Sequence, residues 1–126
     1  MTRWQTSILA LIGLGIGGCQ TNPTIHHVVL IELEDSNLTT QLVADCDELL
    51  APIPSVRQYW CGVHGDFGRA QVDDQYDVAL CVSFDDPAGY QIYLDHPDHV
   101  ELVTRWKPKM EWIRIHDVVP EGSDLH

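Results

Sequence analysis

Tyr93 stands six residues before His99 in the run Tyr-Leu-Asp-His-Pro-Asp-His, and a third proton-exchanging group, His27, sits among the apolar residues of an early segment. Imidazole titrates near neutrality, and a phenol both donates and accepts hydrogen bonds, so such groups beside apolar surface are the ones that handle protons. The chain has seven histidines, which raises the question of metal. His96 and His99 are three apart, but Pro97 between them disturbs a shared helix face, and no third ligand follows at a fixed spacing as it does in H-E-x-x-H. His26 and His27 are adjacent and point to opposite sides of a strand, so they do not chelate one ion. No metal site and no cofactor are read from the sequence. A Ser-His-Asp or Cys-His nucleophile set is weaker still, because no serine or cysteine has a recognisable context.

The elements that position these groups follow from periodicity. Residues 26–33 alternate His27, Val29, Ile31 and Leu33 against Val28 and Leu30, the pattern of a strand buried on both faces. Leu38, Leu42, Cys46, Leu49 and Leu50 recur at helical steps, with Ser36 or Asn37 as the cap and Pro52 and Pro54 as the stop. Residues 56–62 and 76–84 read as strands joined by a polar loop with Gly65, Gly68 and Asp73-Asp74. Asp85-Asp86-Pro87 opens a helix carrying Tyr90, Tyr93 and Leu94. The helix breaks near Pro97 and resumes through Val100, Leu102, Val103 and Trp106. A closing strand spans 110–119.

The order β-α-β-β-α-β predicts an α+β, ferredoxin-like fold with helices on one face of an antiparallel sheet. His27, Val29, Ile31, Leu80 and Val82 are assigned to the other face, too apolar for water, which calls for a second subunit as cover. That face, with a few polar groups at one end, reads as a pocket for a small apolar ligand.

The strand with His27 and the Tyr93…His99 run together resemble the stress-responsive A/B barrel family over roughly 25–119. The resemblance implies two sheets closing into a barrel across a two-fold axis, a homodimer. In plant polyketide cyclases of that superfamily, a tyrosine and a histidine act at positions matching Tyr93 and His99, with His27 at a pocket histidine and Asp117 on the last strand. By that resemblance His99 would remove a proton α to a carbonyl, Tyr93 would stabilise the enolate oxygen, and Asp117 would hold the imidazole tautomer. Three readings stay open: a dimeric ligand-binding stress-response module, which is favoured; a cofactor-free cyclase, lyase or monooxygenase; and a purely structural dimer. The His-Pro-x-His run also works as a helix restart without any ligand.

Composition bounds the rest. With 126 residues, 44% hydrophobic and 21% charged, the chain suits one domain with a real core. Nineteen acidic against seven basic residues give a net charge of −12, which repels phosphate backbones and argues against nucleic acid as a partner. Residues 1–18 read as a lipoprotein signal peptide: Arg3, an uncharged run from Ile8, then Ile16-Gly17-Gly18 before Cys19. That run is shorter than the ~20 residues of a bilayer span. Cys19 would carry the lipid, placing the mature protein outside the cytoplasm on a membrane, with 19–24 as a tether and 120–126 as a tail. Cys46, Cys61 and Cys81 read as small buried hydrophobes, with a Cys61–Cys81 bridge left open because both lie on neighbouring strands of a hairpin.

Overall fold

The computed structural model describes residues 22–125, so the signal peptide (1–18) and the first half of the tether, including Cys19, lie outside the described residues. Four strands form one antiparallel sheet: β1 (Ile25–Leu33), β2 (Gln58–Gly62), β3 (Val78–Phe84) and β4 (Met110–Val118), in the order β2-β3-β1-β4. Three helices, α1 (Thr39–Leu49), α2 (Pro87–Asp95) and α3 (Pro97–Trp106), complete the ferredoxin-like arrangement. No helix among the described residues is long and apolar enough to cross a membrane.

Local chemistry sets the helix ends. Asp86 caps α2 by accepting the Gly89 amide at 2.7 Å, with Pro87 in the first turn where no amide proton is needed. Before α1 the chain makes a 3-10 turn, Ser36–Leu38, capped by Asp35 through the Asn37 amide. The expected cap at Ser36 or Asn37 is therefore corrected: Asp35 caps the 3-10 turn, and α1 itself begins after Leu38 with no side-chain cap. Trp106, fully buried, donates its indole N–H to Asp45 at 2.8 Å and so ties α3 to α1.

The register decides which face of the sheet does what. His27 pairs with Val82 on one side and Asp117 on the other, Val29 with Leu80 and Ile115, and Ile31 with Val78 and Ile113. These odd positions of β1 are buried, together with Leu42 of α1, Leu50 just past its end, and Leu102 and Trp106 of α3. The expectation that His27, Val29, Ile31, Leu80 and Val82 await a second subunit is thus corrected: the chain's own helices cover them. The opposite face carries Val28, Leu30 and Glu32 of β1, Trp60 of β2, and Trp112, Arg114 and His116 of β4. Val28 and Leu30 are only half-buried there and Trp60 is 54% exposed. Within one chain, β1 is therefore closed on one face and open on the other.

The same register separates two cysteines. Cys61 pairs with Leu80 on the helix side, whereas Cys81 pairs with Trp60 and Val28 on the open side. A Cys61–Cys81 bridge is excluded by the pleat, which sends adjacent register positions to opposite faces.

Candidate active or ligand site

Between the sheet and the helices lies a cavity of about 340 Å³. Its walls are mostly aliphatic: Val29, Ile31, Leu42, Leu50, Leu80 and Leu102 among others. Ile113 and Ile115 of the edge strand β4 also line it and remain half exposed, so it opens toward that edge. His27, Tyr90, Tyr93 and His99 supply the polar groups of its lining, with Lys107 the charged one. Val82 is fully buried in the core but does not line the cavity, contrary to its assignment from the sequence.

Two clusters of hydrogen-bonding groups meet here. The first pairs Tyr93 and His99, whose rings lie 4.5 Å apart. Their meeting depends on the break between α2 and α3. His96 ends α2 in an extended conformation and starts α3 by accepting the Asp98 amide on its own Nδ1 at 3.2 Å. The chain turns at that residue, so that a side chain on the first turn of α3 faces one on the last turns of α2. His99 Nδ1 lies 3.1 Å from the Leu94 carbonyl oxygen. A carbonyl only accepts, so Nδ1 carries the proton and Nε2 is left with a lone pair. Burial, and the charge of His27 to a lesser degree, push the His99 imidazole toward its neutral form, against the Leu94 hydrogen bond. Burial likewise raises the Tyr93 phenol well above its ordinary range, keeping it a hydrogen-bond donor. Neither the Tyr93 hydroxyl nor His99 Nε2 has a hydrogen-bond partner among the described residues.

The second cluster is Asp117, His27 and Tyr90. His27 Nδ1 lies 2.6 Å from Asp117 Oδ1, and the Tyr90 hydroxyl lies 3.0 Å from Asp117 Oδ2 and 2.9 Å from His27 Nδ1. With an ionised carboxylate as common acceptor, His27 donates from Nδ1 and Tyr90 from its hydroxyl, leaving His27 Nε2 as an acceptor. The role given to Asp117 is corrected here. It orients His27, its direct neighbour across the β1–β4 ladder, while the Leu94 carbonyl orients His99. Phe84 stacks on Tyr90 at 5.1 Å and sits 5.0 Å from Tyr93, fixing both phenols from beneath.

Tyr90 was not singled out as a site residue in the sequence, although a signal existed. It precedes Tyr93 by three residues, so the two share one face of α2. Among the described residues no group of three or more His, Cys, Asp or Glu side chains is placed to hold a metal ion.

This architecture defines a class, the ferredoxin-like α+β proteins with an apolar cavity under the helices. The family model of the stress responsive A/B barrel domain matches residues 25–120. The chain belongs to that family. Among solved structures it is similar to a family member with a ferredoxin-like fold from Mesorhizobium loti, at 28% identity and a TM-score of 0.66, covering 80% of this chain and 100% of that one. It is also similar to a dimeric ferredoxin-like protein of unknown function from Thermobifida fusca, at 25% identity and TM-score 0.65, over 79% and 92% of the two chains. The hydroxynitrile lyase of Passiflora edulis shares the fold at 22% identity and TM-score 0.63, over 81% and 98%. No curated protein sequence matches the chain.

Proposed function

We propose that this chain is a membrane-anchored homodimeric A/B barrel module in which each subunit holds a small, mostly apolar molecule with one hydrogen-bonding group. The observation that carries the reading is the cavity itself: about 340 Å³ of largely aliphatic wall, with the unpartnered Tyr93 hydroxyl and His99 Nε2 in its lining. Such a volume is at the small end of ligand pockets, ~300–1,000 Å³. A cavity of this kind also argues against a purely structural dimer filled by its own side chains. The homodimer is supported by the open face bearing Leu30 and Trp60 and by the dimeric Thermobifida fusca structure. The anchor rests on the sequence alone, on the uncharged run before Cys19.

Native mass spectrometry of the protein purified from its host in mild detergent tests the reading. A dimer carrying one apolar molecule per subunit is expected, and Tyr93→Phe should weaken its rebinding about five- to tenfold, the scale of one neutral hydrogen bond. Dimers that are empty in every preparation, and that bind no hydrophobic probe, sink it.

A second reading is favoured by the state of the two groups. His99 is held toward neutral by burial and Tyr93 stays protonated beside it. His99 Nε2 would then take a proton from a carbon next to a carbonyl while Tyr93 donates to the enolate oxygen, with no cofactor required. In this case Tyr93→Phe and His99→Ala each abolish turnover of a carbonyl substrate and leave the dimer folded. An unchanged rate in either variant rules the enzyme out.

A further inference from the structure

The cavity has two unlike ends. On its sheet side β1 and β4 run in register, from His27 beside Asp117, through Val29 beside Ile115 and Ile31 beside Ile113, to Leu33 beside Met110. On its helix side His99, Val103 and Lys107 follow at steps of four, and all three line it. Lys107 keeps helical backbone angles and donates its amide to the Val103 carbonyl, so the stripe along α3 runs unbroken up to it. At about 1.5 Å per residue, the steps from His99 to Lys107 advance ~12 Å. Both ends of that path are fixed against β1. The Tyr93 ring, next to His99, stands 5.9 Å from the His27 ring, and the Lys109 carbonyl, just past Lys107, accepts the Glu34 amide at 3.0 Å. The Tyr93–His99 pair and Lys107 therefore stand at opposite ends of one largely aliphatic passage. Lys107 is exposed and differs from most cations of the chain. Arg57 holds Asp85, Arg105 holds Asp45 and Glu101, and Lys109 and Arg114 lie over the rings of Trp106 and Trp112. Among the described residues no ion pair engages the Lys107 ammonium.

We propose, resting on the reading of the cavity as a ligand site, that its occupant is a linear aliphatic carboxylate with a hydroxyl or carbonyl oxygen at the opposite end. The carboxylate meets the Lys107 ammonium, the chain lies along the aliphatic walls, and the distal oxygen accepts from the Tyr93 hydroxyl. A distal hydroxyl also donates to His99 Nε2, so it satisfies both unpartnered groups at once. A lysine stem follows apolar surface while its charge stays in water, which suits the solvent-exposed end of such a passage. Charge sets the orientation. Asp117 stands at the other end, its Oδ1 2.6 Å from His27 Nδ1, and repels a second carboxylate there. The net charge of −12 does not oppose this, because at physiological salt charges more than ~8 Å apart are largely screened and the lysine acts locally. Length follows from the same path. An extended carbon chain advances ~1.25 Å per bond, so roughly ten carbons bridge the distance from His99 to Lys107.

The test is isothermal titration of the full chain in a neutral detergent, against a detergent blank, with 10-hydroxydecanoate, decanoate and 1-decanol. The first and last share the distal hydroxyl and differ only in the carboxylate, so the ratio of their affinities reads the charged end alone. The expected result is one 10-hydroxydecanoate per subunit and a ratio that falls about fivefold in Lys107→Met, the upper range of an exposed ion pair, while Lys107→Arg keeps it. In the unmutated protein the same ratio should fall as salt is raised. Tyr93→Phe should weaken 10-hydroxydecanoate about fivefold more than decanoate, which lacks the distal hydroxyl. A ratio indifferent to both salt and Lys107→Met overturns the carboxylate assignment and leaves the cavity reading standing. An equal loss of the two acids in Tyr93→Phe overturns the placement of the distal oxygen. Binding of none of the three probes overturns the proposal and counts against the cavity reading as well.

Discussion

At the scale of single residues, His99 couples the site to pH. Its folded-state ionisation is pushed below the ordinary ~6.5 of histidine, chiefly by burial. The unfolded chain therefore binds a proton at a higher pH than the folded one, and the stability this group supplies is complete above about pH 6.5 and is lost as pH falls through the depressed folded value. The expected outcome is a urea midpoint that declines on acidification below about pH 6.5, with a smaller decline in His99→Gln. Parallel declines in both proteins would show that other groups carry the effect. Tyr93, His99 and His27 were legible as residues because their types and spacing are visible along the chain. The partnership of His27 with Asp117 was not, since ninety residues separate them and only the β1–β4 register makes them neighbours. The partner of His99 was hidden for a different reason: it is the Leu94 backbone carbonyl, which leaves no mark on residue type.

At the scale of elements, one polar side chain often decides where a helix begins, and those places were the easiest to read. Asp86-Pro87 marks the start of α2 and His96-Pro97 the break before α3, both from the sequence pattern. Asp86→Ala removes the acceptor for the Gly89 amide and is expected to cost about 1 kcal/mol, measured as a lower urea midpoint, with Asp86→Asn recovering most of it. α1 was harder to place because Asp35, Ser36 and Asn37 are all competent caps, and the 3-10 turn that selects Asp35 is a matter of local backbone path. Contacts between elements were beyond reach. Asp45 and Trp106 are visible as residue types, but their hydrogen bond depends on how α1 meets α3, which periodicity within either element does not specify.

At the scale of the whole molecule, the sequence suggested both coverings of the sheet but exchanged them. Both sides of β1 are apolar, with Val29 and Ile31 on one and Val28 and Leu30 on the other, so hydropathy alone leaves the choice open. The side bearing His27 is apolar enough to call for a second subunit as cover, whereas the chain's own helices cover it and His27 is the polar end of a cavity inside one subunit. The open face is then the surface on which Leu30→Glu should act. That substitution is expected to convert the dimer to monomer in analytical ultracentrifugation while leaving the circular dichroism spectrum of the fold in place. A variant that stays dimeric would move the interface elsewhere. The alternation along β1 has a further consequence. One nine-residue strand carries two separate vocabularies, odd positions for what the molecule encloses and even positions for what it meets. A change in one set leaves the other untouched, so the lining of the cavity and the surface offered to a second subunit can vary independently, and resemblance along this strand is informative about the cavity only at every second letter.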